Sequence, residues 1–136
     1  MRIILAAAIT ATIPFAASAR NYEAVNGLDV IALAGSSFEV IEKYGEGPRG
    51  IWCAAASYAL YEVGAPNSSR MYIKSPRGPS VSGVGRTSVV FTFDPNDLPS
   101  PPRKSVTVDV DQQSIGLTAG HAIQFCRDYI IELNGL

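Results

Sequence analysis

Residues able to do chemistry are sparse in this chain. There is one histidine, His121, and there are two cysteines, Cys53 and Cys126. His121 falls in the first turn of a predicted helix, where the positive end of the helix dipole favours the neutral imidazole. A neutral histidine can serve as base or ligand. A metal site needs several ligands, however, and no second histidine or free cysteine pair accompanies it, so no metal is expected. Asp109 and Asp111 stand two apart in a stretch that alternates like a strand, which puts both carboxylates on one face about 7 Å apart. That spacing suits a carboxylate pair for glycoside hydrolysis or a weak calcium site. It equally suits the solvated face of a half-buried sheet. One reading of the chain is therefore a small secreted hydrolase using His121 with Asp109 or Asp111, which requires those groups to converge in a cleft.

Other catalytic signatures are missing. Ser82-Gly83-Val84-Gly85-Arg86 holds a G-x-G but lacks the third glycine of a dinucleotide fingerprint and does not open a helix. No phosphate-binding G-x-x-x-x-G-K-[ST], no G-x-S-x-G and no H-E-x-x-H occurs. Neither a nucleotide nor any other cofactor is expected. With no C-x-x-C, a thioredoxin-type redox centre is excluded as well.

The start of the chain sets the expected compartment. Met1-Arg2 is a short positive start, Ile3 to Phe15 is largely apolar, and Ala17-Ser18-Ala19 is the small-x-small pattern of a signal peptidase site. Residues 1–19 read as a secretory signal peptide with cleavage before Arg20. The apolar run is shorter than the roughly 20 residues a transmembrane helix needs. Residues 20–136 are expected to form a single small globular domain with no transmembrane anchor, exported to the periplasm or the extracellular space. Two cysteines in such a protein favour one disulfide, Cys53 to Cys126, contributing roughly 4 kcal/mol in the chain-entropy model.

Charge is the remaining functional signal. The net charge is -1, apolar residues make up 47% and charged residues 17%, which allows a packed core and excludes a generally basic nucleic-acid coat. The basic residues are unevenly spread. Residues 66–104 hold Arg70, Lys74, Arg77, Arg86, Arg103 and Lys104 against Asp94 and Asp97, while the flanking segments are net acidic. Arg70, Tyr72, Lys74, Arg77 and Arg86 are the candidate binding residues of a cationic face. Such a face would meet an anionic ligand (glycan or lipid head group) or an acidic envelope protein. The leading expectation is an exported, non-enzymatic binding or interaction module. A third reading is a structural envelope protein that self-associates through an exposed strand edge.

The elements that would position these residues follow from periodicity. Residues 20–27 read as a loose leader. Leu28 to Leu33 and the stretch from Phe38 to Tyr44 form a predicted hairpin with Phe38 and Val40 inward. A helix is predicted over Ile51 to Val63, with Trp52, Ala55, Ala56, Ala59, Leu60 and Val63 as its apolar stripe and Gly64 as its cap. Arg70 to Ser75 reads as a strand, residues 75–80 as a loop and Thr87 to Phe93 as a strand with Val89, Phe91 and Phe93 inward. Residues 94–102 read as a stiff surface loop and Ser105 to Asp111 as a further strand. A last helix begins at the N-cap Thr118, with Ala122, Cys126, Tyr129, Ile130 and Leu133 buried. The predicted fold is α+β: an antiparallel sheet with two helices packed on one face, in the order β-β-α-β-(β)-β-β-α, the helices joined by one disulfide.

Overall fold

A computed structural model describes residues 9–12, 21–104 and 107–127. Most of the predicted signal segment, the cleavage point at Arg20, and the far part of the last helix with Tyr129, Ile130 and Leu133 lie outside the described residues. The strands β1 (Asn21–Glu23), β2 (Asp29–Ala32), β3 (Ser37–Ile41), β4 (Arg70–Pro79), β5 (Thr87–Thr92) and β6 (Gly116–Thr118) form one sheet in the order β1-β2-β3-β5-β4-β6, and every strand pair is antiparallel. Helix α1 (Gly47–Ser57) and the short helix α2 (Ala119–Ala122) complete the α+β fold, and a Cys53–Cys126 disulfide ties them together.

Register decides which side chains meet α1. Cross-strand partners share a face, and Val30 pairs with Val40, Val40 with Val89, Phe38 with Phe91, and Ile73 with Phe91. This face carries the core together with Trp52, Ala55, Ala56 and Ala59. Phe38 stacks on Phe91 at 5.5 Å, Trp52 meets Phe91 edge-on at 4.9 Å, and the Trp52 indole N–H donates to the Val108 carbonyl at 3.0 Å. Helix α1 is buried from Gly50 to Ser57, which is why its sequence is apolar and small nearly all round rather than on one stripe. The sheet lies on one side of it, and residues 119–126 lie on another.

Four local expectations are corrected. Residues 21–27 are not a loose leader, and Arg20 lies outside the described residues. Residues 21–23 pair with β2, the Tyr22 hydroxyl shares a 2.9 Å hydrogen bond with Ser57 Oγ, and Asn26 Nδ2 donates to the Gly50 carbonyl at 2.8 Å. The strand beginning at Arg70 does not stop at Ser75. It runs to Pro79 through two register shifts, the irregular sites at which a sheet tolerates proline.

Residues 107–111 form no strand. The Thr107 hydroxyl accepts from Asp109 N at 3.1 Å, and the Asp109 carboxylate accepts from Asp111 N at 2.8 Å. These short side-chain turns replace a ladder, although Val108 and Val110 still reach the core. The sixth strand is Gly116–Thr118, where Gly116 allows the Tyr72 ring to lie flat against the backbone.

The first helix begins at Gly47 and becomes a π-helix over Tyr58–Val63, ending at left-handed Gly64. The altered period turns Val63 outward, away from the predicted stripe. Thr118 caps α2 as expected, its hydroxyl accepting from His121 N at 3.2 Å, and the chain then tightens into a 3-10 turn over Ile123–Cys126.

Candidate functional site

No hydrogen bond or ion pair joins His121 to Asp109 or Asp111 among the described residues. The Asp109 carboxylate is engaged by Asp111 N and by Gln112 Nε2, and the exposed His121 ring lies 5.7 Å from the Phe125 ring. Among the described residues, no group of three or more histidines, cysteines or acids converges as a metal site would need.

The cationic residues are divided rather than gathered. Arg70 and Tyr72 line a cleft of about 430 Å³ with Val63, Ala65 and Phe93. Lys74 is half-buried and its ammonium donates to Ser37 Oγ at 3.3 Å. Arg77 and Arg86 line a different and larger groove of about 940 Å³. The two groups lie toward opposite ends of β4, Arg70 and Tyr72 at its start and Arg77 near its end, where Arg86 approaches from the β4–β5 turn.

The larger groove lies where β3 leaves the sheet and β4 turns into β5. Its walls are Glu42 to Gly45 on one side and Arg77 to Ser80 with Gly83 and Gly85 to Thr87 on the other. Glu42 N donates to the Thr87 carbonyl at 2.9 Å, and Ser80 N donates to the Arg86 carbonyl at 2.8 Å, so both walls belong to the sheet's hydrogen-bonded frame. Three cations stand against one carboxylate. Arg77 pairs with Glu42 at 2.6 Å, and Lys43 reaches Asp29 at 3.8 Å. Arg86 is exposed and makes no ion pair among the described residues.

One residue beneath the groove loop is unusual. Glu39 points to the face of the sheet away from α1, yet it is fully buried. Its Oε1 accepts from Val81 N at 2.8 Å and from the Ser88 hydroxyl, while Oε2 has no hydrogen-bond partner. Burial alone would raise the carboxyl pKa. The hydroxyls of Ser82, Ser88 and Ser80 and the Val81 amide outweigh it, so the net shift is downward and the group is ionised. Ser80 and Ser82 are bonded to each other at 3.0 Å and polarise the carboxylate without closing a bond to Oε2. Glu39 thereby fastens the turn that forms one wall of the groove.

Reasoning from the sequence missed two of the groove residues, Lys43 and Tyr44, by reading both as part of a strand. The strand ends at Ile41, and Tyr44 sits in the following turn with φ 60°, 74% exposed. The signal was present in Tyr44-Gly45-Glu46-Gly47, where two glycines follow an aromatic residue just before a helix.

Compared with protein-family models, with curated proteins and with solved structures, the chain matches none.

Proposed function

We propose that the chain is a non-enzymatic binding module that captures an anionic ligand in the groove between residues 42–45 and 77–87. The observation that carries this reading is the unpaired, exposed Arg86 beside Lys43 and Arg77, in a groove whose only acidic side chain, Glu42, is already neutralised by Arg77. A guanidinium without a partner on a framed wall offers a carboxylate, sulfate or phosphate two parallel hydrogen bonds with little reorganisation. The groove falls in the size range of small-molecule pockets but is open, which suits an extended ligand.

In this reading residues 1–19 direct export and are removed, and the module works outside the cytoplasm. One fact supports that compartment: the Cys53–Cys126 disulfide, a bond that persists where the surroundings are oxidising.

The test is capture of a panel of anionic probes: a sulfated glycan, polygalacturonate, polyglutamate and phosphatidylglycerol vesicles. Wild-type protein is compared with Arg86→Glu at low and at physiological salt. Charge reversal is expected to abolish capture of the preferred probe without moving the melting temperature, since Arg86 holds nothing in place. Capture of no probe by the wild type, or equal capture by Arg86→Glu, would refute the proposal.

A further inference from the structure

Tyr44 carries more information than any other residue of the groove. Among the described residues, two other than glycine adopt positive φ, Tyr44 at 60° and Ser114 at 69°. Ser114 has a structural reason for doing so. It is buried, its hydroxyl donates to the Ser100 carbonyl at 2.9 Å, and its N–H donates to the Ile73 carbonyl at 2.8 Å. Tyr44 has no such reason. It is 74% exposed, and the turn it occupies would be better served by glycine or asparagine, which accept the left-handed region readily. A large side chain held in disfavoured backbone and presented to solvent points to use rather than to stability.

The surroundings of the ring say what that use is. The Tyr44 ring borders the groove, and its edge lies near Gly27, itself a turn residue with φ 82°. Lys43 Nζ stands 5.0 Å from the ring centroid, and Arg86 lines the same groove. An exposed aromatic ring thus shares an open trough, with glycine and serine in its walls, with Lys43, which pairs with Asp29, and with Arg86, which makes no ion pair among the described residues. We infer that Tyr44 is a stacking platform and that the ligand is an acidic polysaccharide whose pyranose ring lies on the Tyr44 face while its carboxylate meets Arg86.

The chemistry favours this ligand over other anions. The C–H face of a pyranose carries a small positive potential and matches the negative face of an aromatic ring. An acidic peptide has no such face in its side chains, and a phospholipid head group presents charge without a rigid ring.

This inference rests on the groove reading above, and the experiment separates the two. Binding of polygalacturonate, polyglutamate and uncharged dextran is measured by calorimetry for the full chain, Tyr44→Ala, Tyr44→Gly and Arg86→Glu. Wild type is expected to bind polygalacturonate at least about tenfold more tightly than polyglutamate, and dextran weakly or not at all. Tyr44→Ala and Tyr44→Gly are expected to lose about tenfold for polygalacturonate and nothing for polyglutamate. Tyr44→Gly should melt at or above the wild-type temperature, which a structural role for the ring would not allow. If Arg86→Glu abolishes binding of both acidic polymers while the Tyr44 variants bind like wild type, the groove stands and the platform is refuted. If Arg86→Glu changes nothing, the groove itself is refuted. Equal wild-type affinity for the two acidic polymers, or no binding of either, also overturns the inference.

Discussion

Replacing Glu39 by glutamine tests whether a buried carboxylate fastens the groove wall. The substitution keeps the shape and leaves an amide oxygen to accept from Val81 N and Ser88 Oγ, but it removes the charge. A hydrogen bond to a charged acceptor contributes about 1.5–3 kcal/mol, and one between neutral groups about 1 kcal/mol. Two such bonds weakened by about 1 kcal/mol each give a loss near 2 kcal/mol, part of which is offset because the neutral amide is less costly to bury. The expected net loss is about 1–2 kcal/mol at neutral pH, or a fall of about 4–8 °C in Tm for each kcal/mol.

The pH dependence supplies the sign. The folded pKa of Glu39 is lowered from its ordinary value of 4.5, so the native state binds fewer protons than the unfolded chain around that pH. Its contribution is fully present above about pH 4.5 and is lost as pH falls through the folded value. Thermal melts of wild type and Glu39→Gln from pH 3 to 7 should therefore differ most at neutral pH and converge in acid. A variant as stable as wild type at pH 7, or a gap that widens in acid, would show that the Glu39 charge is not stabilising.

Two further substitutions probe the frame that holds the groove. Changing Cys53 and Cys126 together to alanine removes a crosslink spanning a sequence separation of 73, which the chain-entropy model values at about 4 kcal/mol. Denaturant titration should show that loss, and one below about 1 kcal/mol would mean that packing between the helices carries the fold unaided. Gly116→Ala would place a Cβ 2.6 Å from Cδ1 of Tyr72, an overpacking worth about 1–3 kcal/mol. The cost should largely vanish in a Tyr72→Ala background, and a double-mutant cycle showing simple additivity would refute the contact.

Much of the fold was legible because burial and periodicity agreed. The alternation of Phe38 with Val40, and of Val89 with Phe91, located the two central strands and their inward faces. Trp52 and the alanines after it located the buried helix, and the compartment logic paired Cys53 with Cys126. What failed did so for local reasons. Val106, Val108 and Val110 alternate like a strand, but Thr107 and Asp109 offer the backbone their own side-chain oxygens, and the turns win over 107–111. Pro76 and Pro79 argued for a loop, yet bulges carry them inside β4. The candidate binding residues were chosen by charge density along the chain. Sequence spacing cannot show that Arg70 and Tyr72 line a different cleft from Arg77 and Arg86, nor that Lys43 and Tyr44 join the latter pair from the turn after β3. The groove is a long-range construction, and its one local trace was an aromatic residue among turn-forming glycines.

The placement of Cys126 has a consequence for the order of events during synthesis. Strands β1, β2 and β3 are neighbours in both sequence and space, so a growing chain can begin pairing them early. Helix α1 cannot be fully covered then, because residues 119–126, which pack against it, are made about 60 residues after α1 ends. Until they arrive, the alanine-rich face and the Cys53 thiol have no partner. The disulfide therefore reports that the chain has reached residue 126: a chain that ends before it lacks the partner of Cys53 and keeps a free thiol there.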